Sequence, residues 1–128
     1  THAYVTNAAL SDMYEIQSSQ IALNRSQSAE VKAFAQQMIR DHTATSAKLK
    51  PLAAAQGHPL PTELDARRRS MIENLNSASA EDFDDRYIDQ QTAAHQEAMM
   101  LHRAYAERGD NAQLKAFAAE TAPAVEQH

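Results

Sequence analysis

Apolar residues recur at spacings of three and four along most of the chain, as they do in helices with one face buried. In the first segment, about 3 to 25, Val5, Ala9, Ile16 and Leu23 share a face. The polar run Ser26-Gln27-Ser28 interrupts it, and Ser28 ahead of Glu30 and Val31 suits the cap of a new helix. That second helix, 29 to about 56, carries Val31, Phe34, Met38, His42, Thr45 and Leu49 on one stripe and stops at Gly57. Pro51 lies inside it, removes an intrahelical hydrogen bond and predicts a bend near residues 47–51.

Beyond the loop 57–61, Thr62 is placed to cap a short third helix ending near Asn76. A fourth spans about 80 to 108, with Phe83, Tyr87, Ala94, Ala98, Leu101 and Tyr105 on its apolar face and Gly109-Asp110 at its end. The fifth, 111 to about 128, repeats the pattern with Leu114, Phe117, Thr121, Val125 and His128. Lys32-Ala33-Phe34-Ala35 recurs as Lys115-Ala116-Phe117-Ala118, an offset of 83 residues that also carries Ser26 of the first turn onto Gly109 of the last. Two similar hairpins joined by a connection long enough to cross the molecule form a ferritin-like arrangement. The expected fold is all-α: an antiparallel four-helix bundle of two hairpins with a short crossover helix, in a single domain over 1–128.

Composition agrees with helices, with 26 Ala, 2 Gly and only 8 Val plus Ile in 128 residues. A net charge of -5, from 12 Lys plus Arg and 17 Asp plus Glu, argues against a nucleic-acid partner, and Arg67-Arg68-Arg69 is too short a cluster to change that. With no Cys there is neither a disulfide framework nor a thiolate, so any metal must be held by His, carboxylate or Met. No run approaches the ~18–20 apolar residues of a membrane-spanning helix. A start at Thr1 without Met is what a processed exported chain shows, and equally a truncated one.

The six His are not equivalent. His2 near the start and His58 in a Gly-Pro loop are most simply solvated. His42 interrupts the apolar stripe of the second helix, and His128 ends that of the fifth. His95 shares a stripe with Asp84, Ile88, Gln91, Met99 and His102, beside the main apolar face of the fourth. Counted from the first turn, Asp12 and His42 differ in level by two residues, about 3 Å at ~1.5 Å rise per residue, and so can meet. The 83-residue offset sets Asp12 level with His95, whereas it maps His42 onto Val125 and leaves His128 one turn beyond. Glu15, one turn from Asp12, is the remaining inward carboxylate.

His42, His95 and His128 with Glu15 or Asp12 make a first shell fit for zinc, iron, manganese or copper, and Met99 would tilt the choice toward copper if it points inward. Asp41, about 100° round the helix from His42, reads as support or surface, and Asp84 and His102 as supporting groups. The competing reading is a set of packed, hydrogen-bonded core histidines. Neither a Gly-rich phosphate loop nor a Ser-His-Asp constellation can be assembled, so no nucleotide or organic cofactor is indicated. The di-iron Glu-x-x-His signature is missing, since Thr92 and Ile39 stand three residues before His95 and His42.

Several runs carry a family likeness: 30–42 ending in Asp41-His42, Leu60-Pro61-Thr62-Glu63-Leu64-Asp65, Phe83-Asp84 with Tyr87, His95, and Leu114-Lys115-Ala116-Phe117-Ala118 leading to His128. Together they resemble the bacterial "domain of unknown function 4142" family over nearly the whole chain. Its members are similar to ferritin-like four-helix bundles and mostly exported, and are often labelled predicted outer-membrane proteins. The resemblance stresses Glu15, Asp41-His42, Phe83-Asp84, His95 and His128. It implies a removed signal sequence and a periplasmic or cell-surface location, and no reaction. Pro51 and Pro123 depart from its pattern.

The expected function is a metal-binding bundle of the bacterial envelope for storage, buffering or stress protection. The alternative is a structural or protein-interaction module whose inward His and acids only hydrogen-bond, with an envelope enzyme using metal-activated water third. A homo-oligomer is compatible with the sequence but not indicated by it.

Overall fold

A computed structural model describes residues 2–55, 57 and 60–127, without the side chains of His2 and of 123–127. Among the described residues there is no strand. Five helices follow one another: α1 (His2–Arg25), α2 (Ala29–Ala55), α3 (Ala66–Asn76), α4 (Phe83–Arg108) and α5 (Ala112–Gln127). α1 packs along α2 and α4 along α5, α1 also touches α3 and α4, and α2 touches α5. The two hairpins expected from the repeat are therefore present and dock side by side.

Ser28 caps α2 as its sequence position predicts, its Oγ accepting from the Val31 N–H at 3.3 Å. Gly57, with φ of 70°, supplies the left-handed turn after α2. α2 continues unbroken through Pro51. The proline and Ala47, whose carbonyl loses its partner, are both exposed, so water can serve the freed group.

Two starts differ from expectation. Asp65, not Thr62, caps α3, its carboxylate accepting from the Arg68 N–H at 3.2 Å. Ser79 accepts from the Asp82 N–H and closes a turn over 79–82, which delays α4 to Phe83. At α3 a later side-chain-to-backbone bond competes successfully with the first available cap, whereas the Ser79 bond at α4 closes a turn ahead of the helix, whose N-cap Asp82 makes no side-chain cap bond.

Because α1 touches three helices, its buried residues cover more than one stripe. Tyr4, Val5, Ala8, Ala9, Asp12, Tyr14, Glu15, Ser18, Ser19 and Ala22 are all buried, while Ile16 and Leu23 are only half so. The apolar core falls into two clusters. One gathers Tyr4, Val5, Leu49, Tyr105, Leu114 and Phe117; the other gathers Ala22, Val31, Leu75, Phe83 and Tyr87. The stretch 12–19 of α1 lies between them in sequence.

Arg25 fastens the crossover helix. Its guanidinium donates to the carbonyls of Leu75, Asn76 and Ala78 and stands 4.8 Å from the centre of the Phe83 ring. It thereby satisfies carbonyls at and just beyond the end of α3, where the helix dipole favours a cation. The three consecutive arginines are engaged within the chain: Arg67 with Glu97, Arg68 with Asp65, and Arg69 with the Leu64 carbonyl.

Candidate metal centre

Three helices bring chemistry to the level between the two apolar clusters. Asp12 and Glu15 stand one turn apart on α1, His42 on α2 and His95 on α4. Glu15 is 1% exposed, and Asp12 and His42 are each 4% exposed. Glu15, His42 and His95 each offer a ligand atom, and these atoms lie within 4.8 Å of one another. The two imidazoles meet edge to face with ring centres 6.2 Å apart.

Behind these groups lies a set of orienting hydrogen bonds. His42 Nδ1 and Asp12 Oδ1 are 2.7 Å apart, and Asp12 Oδ2 accepts from Ser46 Oγ at 3.3 Å. His95 Nδ1 is 2.7 Å from the Gln91 carbonyl. A carbonyl can only accept, so the Nδ1 proton of His95 is fixed there and the lone pair of the neutral ring belongs to Nε2. Metal-bound histidines recur with this support, one ring N–H tied to a carboxylate or a carbonyl. Glu15 Oε1 approaches His95 Nδ1 to 3.7 Å, while its buried Oε2 has no hydrogen-bond partner among the described residues.

Burial controls the electrostatics. It pushes the Glu15 carboxyl up to about 7, against the pull of the His42 charge and a Gln91 hydrogen bond, with Asp12 pushing further up. Burial also raises Asp12, although the His42 and Ser46 hydrogen bonds oppose it. For His42 burial works against the charged ring, and the Asp12 hydrogen bond with the Glu15, Asp12 and Asp41 charges overcomes it, so its pKa rises. The Asp12–His42 pair therefore holds its shared proton firmly. A divalent cation would replace these protons and relieve the crowding of two carboxyls.

The remaining expected residues take other places. Asp12 sits behind His42 and not among the three converging groups. His102 lies two turns along α4 from His95, and its Nδ1 pairs with the Tyr4 hydroxyl at 2.8 Å. Burial, then the His42 charge, lowers its pKa to about 4, so it is neutral at ordinary pH. Met99 is half-buried and lines a cleft between α2 and α4 beside His95. Asp41 is half-buried and adds negative charge near His42. Asp84 opens α4, about 16 Å along the helix from His95 at ~1.5 Å per residue. His128 and His58 lie outside the described residues, as does the His2 side chain.

Residues that the periodicity did not single out complete the layer. Ser18 accepts from Gln91 Nε2 at 3.1 Å, and Ser19 pairs with the Tyr87 hydroxyl at 2.8 Å. Both serines are wholly buried on α1 and continue, at helical spacing, the face that carries Glu15. A cleft of about 320 Å³ lined by Asp12, Asp41, His42, Lys48, His102 and Glu120 opens beside His42 and gives the layer a polar approach.

The family description "Domain of unknown function (DUF4142)" matches residues 1–128, and the chain belongs to that family. No curated protein and no solved structure matches it.

Proposed function

We propose that this DUF4142 chain is a ferritin-like bundle of the bacterial envelope that binds one divalent transition-metal ion through Glu15, His42 and His95, for storage, buffering or stress protection. The observation that carries this reading is Glu15 Oε2, an acceptor buried without a partner among the described residues, in a group whose ligand atoms lie within 4.8 Å. A buried unpaired acceptor costs roughly 1–3 kcal/mol, which an ion would offset. Tetrahedral zinc holds nitrogen and oxygen ligands about 3.4 Å from one another, so the three side chains would draw closer around an ion.

Two imidazoles and one carboxylate suit zinc, iron(II) and copper(II). Asp12 would orient His42 and the Gln91 carbonyl would orient His95, each from its Nδ1 side. Three protein ligands leave a fourth position for water or a further group. The missing Glu-x-x-His pairs argue against di-iron oxidation, so storage or buffering is favoured over oxygen chemistry. The envelope location rests on the family likeness.

Elemental analysis of untagged protein, with zinc, copper and iron titrations read by melting temperature, tests the metal reading. About one equivalent of metal, lost in Glu15→Gln, is the expected result. No stoichiometric metal and an unchanged melting temperature would instead favour the interaction module, to which the paired Nδ1 atoms of His42 and His95 also lend support. Fractionation of native cells tests the location.

A further inference from the structure

Away from the converging Glu15, His42 and His95, the helices α1, α3 and α4 enclose a cleft of about 130 Å³. Its polar lining comes from three helices: Asn7 and Ser11 one turn apart on α1, Arg67 and Arg68 at the start of α3, and Glu97 on α4. Arg68 is 7% exposed. Its Nη1 donates to Asp65 Oδ2 at 2.9 Å, while Nη2 stands 3.8 Å from Glu97 Oε1, beyond hydrogen-bond reach. A guanidinium has five N–H donors, so most of this fork lacks an acceptor among the described residues. None of its nitrogens is both fully buried and unpartnered, so the unfilled donors keep an opening, and the cleft is the space that Arg68 lines. Asn7 and Ser11 are half-buried, and neither side chain makes a hydrogen bond among the described residues.

The frame around these donors is braced. Asp65 both caps α3 and grips Arg68. Gln90 accepts from the Tyr14 hydroxyl at 2.6 Å and donates to the Met71 carbonyl at 3.0 Å, tying α1, α4 and α3 together beside the cleft. Local charge favours an anion: within 65–69 three arginines face one aspartate. Glu97 opposes it weakly, because its carboxylate is exposed and already bridged by both terminal nitrogens of Arg67. The rest of the wall is apolar, with Met71 and the small side chains of Ala94 and Ala98 leaving the space unfilled. A planar fork beside an amide and a hydroxyl matches a carboxylate, and an apolar floor matches a short alkyl tail better than a fully hydrated phosphate. At ~30 Å³ per water the space equals about four waters, so the molecule must be small.

We propose that the α1–α3–α4 cleft binds a short-chain monocarboxylate, its carboxylate accepting from Arg68, Asn7 and Ser11 and its tail lying on Met71, Ala94 and Ala98. The site is independent of the metal reading. The test titrates ¹⁵N-labelled full chain at pH 7, with ionic strength held constant by sodium chloride, with propionate, with uncharged propionamide and with inorganic phosphate. Propionate is expected to bind with a Kd of about 1 mM, within the per-atom ceiling for about five heavy atoms. It should shift amides at 7–11, 67–71 and 94–98 and bind about tenfold more tightly than either alternative. Arg68→Lys keeps the charge and loses the fork, and should erase most of that preference. Ser11→Ala removes one donor and should weaken propionate about threefold or more. Equal affinity for propionate and propionamide overturns the proposal, as does phosphate binding as tightly as propionate. Shifts confined to other regions, or propionate affinity unchanged in Ser11→Ala, overturn it as well. Should Arg68→Lys fail to fold, Ser11→Ala and the wild-type comparison still decide.

Discussion

The two apolar clusters and the polar layer containing Asp12, Glu15, His42, Gln91 and His95 are built on opposite principles. In the clusters, side chains such as Leu49, Leu75 and Leu114 are fully buried and contribute by leaving water. In the polar layer, ionisable groups are almost as deeply buried, with Glu15 pushed up to about 7 by that burial. Hydrophobic side chains of similar volume would serve a purely structural layer at least as well. The difference locates stability in the clusters and puts the chemistry in the layer that weakens the fold.

The largest effect that would sharpen this contrast comes from the apolar side. Leu49→Ala should lose about 2–5 kcal/mol in urea unfolding while metal affinity per folded molecule stays within about twofold. A parallel collapse of metal binding in the folded variant would break the division.

Glu15→Gln should do the reverse. The folded-state pKa of Glu15 lies above its ordinary value of 4.5, so its stabilising contribution is complete below about 4.5 and is lost as pH rises through about 7. The raised His42 pKa acts with the same sign. Metal-free Glu15→Gln should therefore gain on the wild type between pH 4.5 and 7, reaching an advantage on the order of 3 kcal/mol at pH 8. Its metal response should vanish. Parallel stability–pH curves for the two proteins would refute the assignment of Glu15 as a buried, strained carboxyl.

In wild-type protein, the melting-temperature gain on adding zinc should grow from pH 5 to pH 8, because the ion displaces protons held by Glu15 and the Asp12–His42 pair. A gain independent of pH would place the ion elsewhere. Asp12→Asn, which alters the support and leaves the three converging groups in place, should lower metal affinity about 10–100-fold. At the bottom of the scale, Lys48→Ala removes an exposed ion pair with Glu120 and should change stability by less than about 1 kcal/mol.

Helical periodicity and the repeat located all five helices and the pairing of α1 with α2 and α4 with α5, because amphipathic spacing is a local signal. The starts of α3 and α4 were not legible, since Asp65 and Ser79 compete with other residues able to make such bonds. Counting from the turns brought Asp12 beside His42, where a 2.7 Å contact joins them. It could not tell which of two carboxyls on α1 enters the group with His95. That choice depends on the azimuth of α1, a helix in contact with three others and so without a single inward face. Ser18 and Ser19 escaped notice for the same reason: small polar residues carry no hydrophobic signal, and only tertiary contact shows them buried. His102 and His95 share a stripe, yet two turns of separation gave one a tyrosine hydroxyl and left the other, bonded to the Gln91 carbonyl, within reach of the Glu15 carboxyl.

The converging groups are divided unevenly between the hairpins, with Glu15 and His42 on the first and His95 on the second. An ion held by all three would act as a removable rivet across the seam between α1–α2 and α4–α5. At a free concentration 100-fold above its dissociation constant it would add about 2.7 kcal/mol to the docked state. Separation of the hairpins would then eject the ion, and metal supply would set how often the two halves of the molecule come apart.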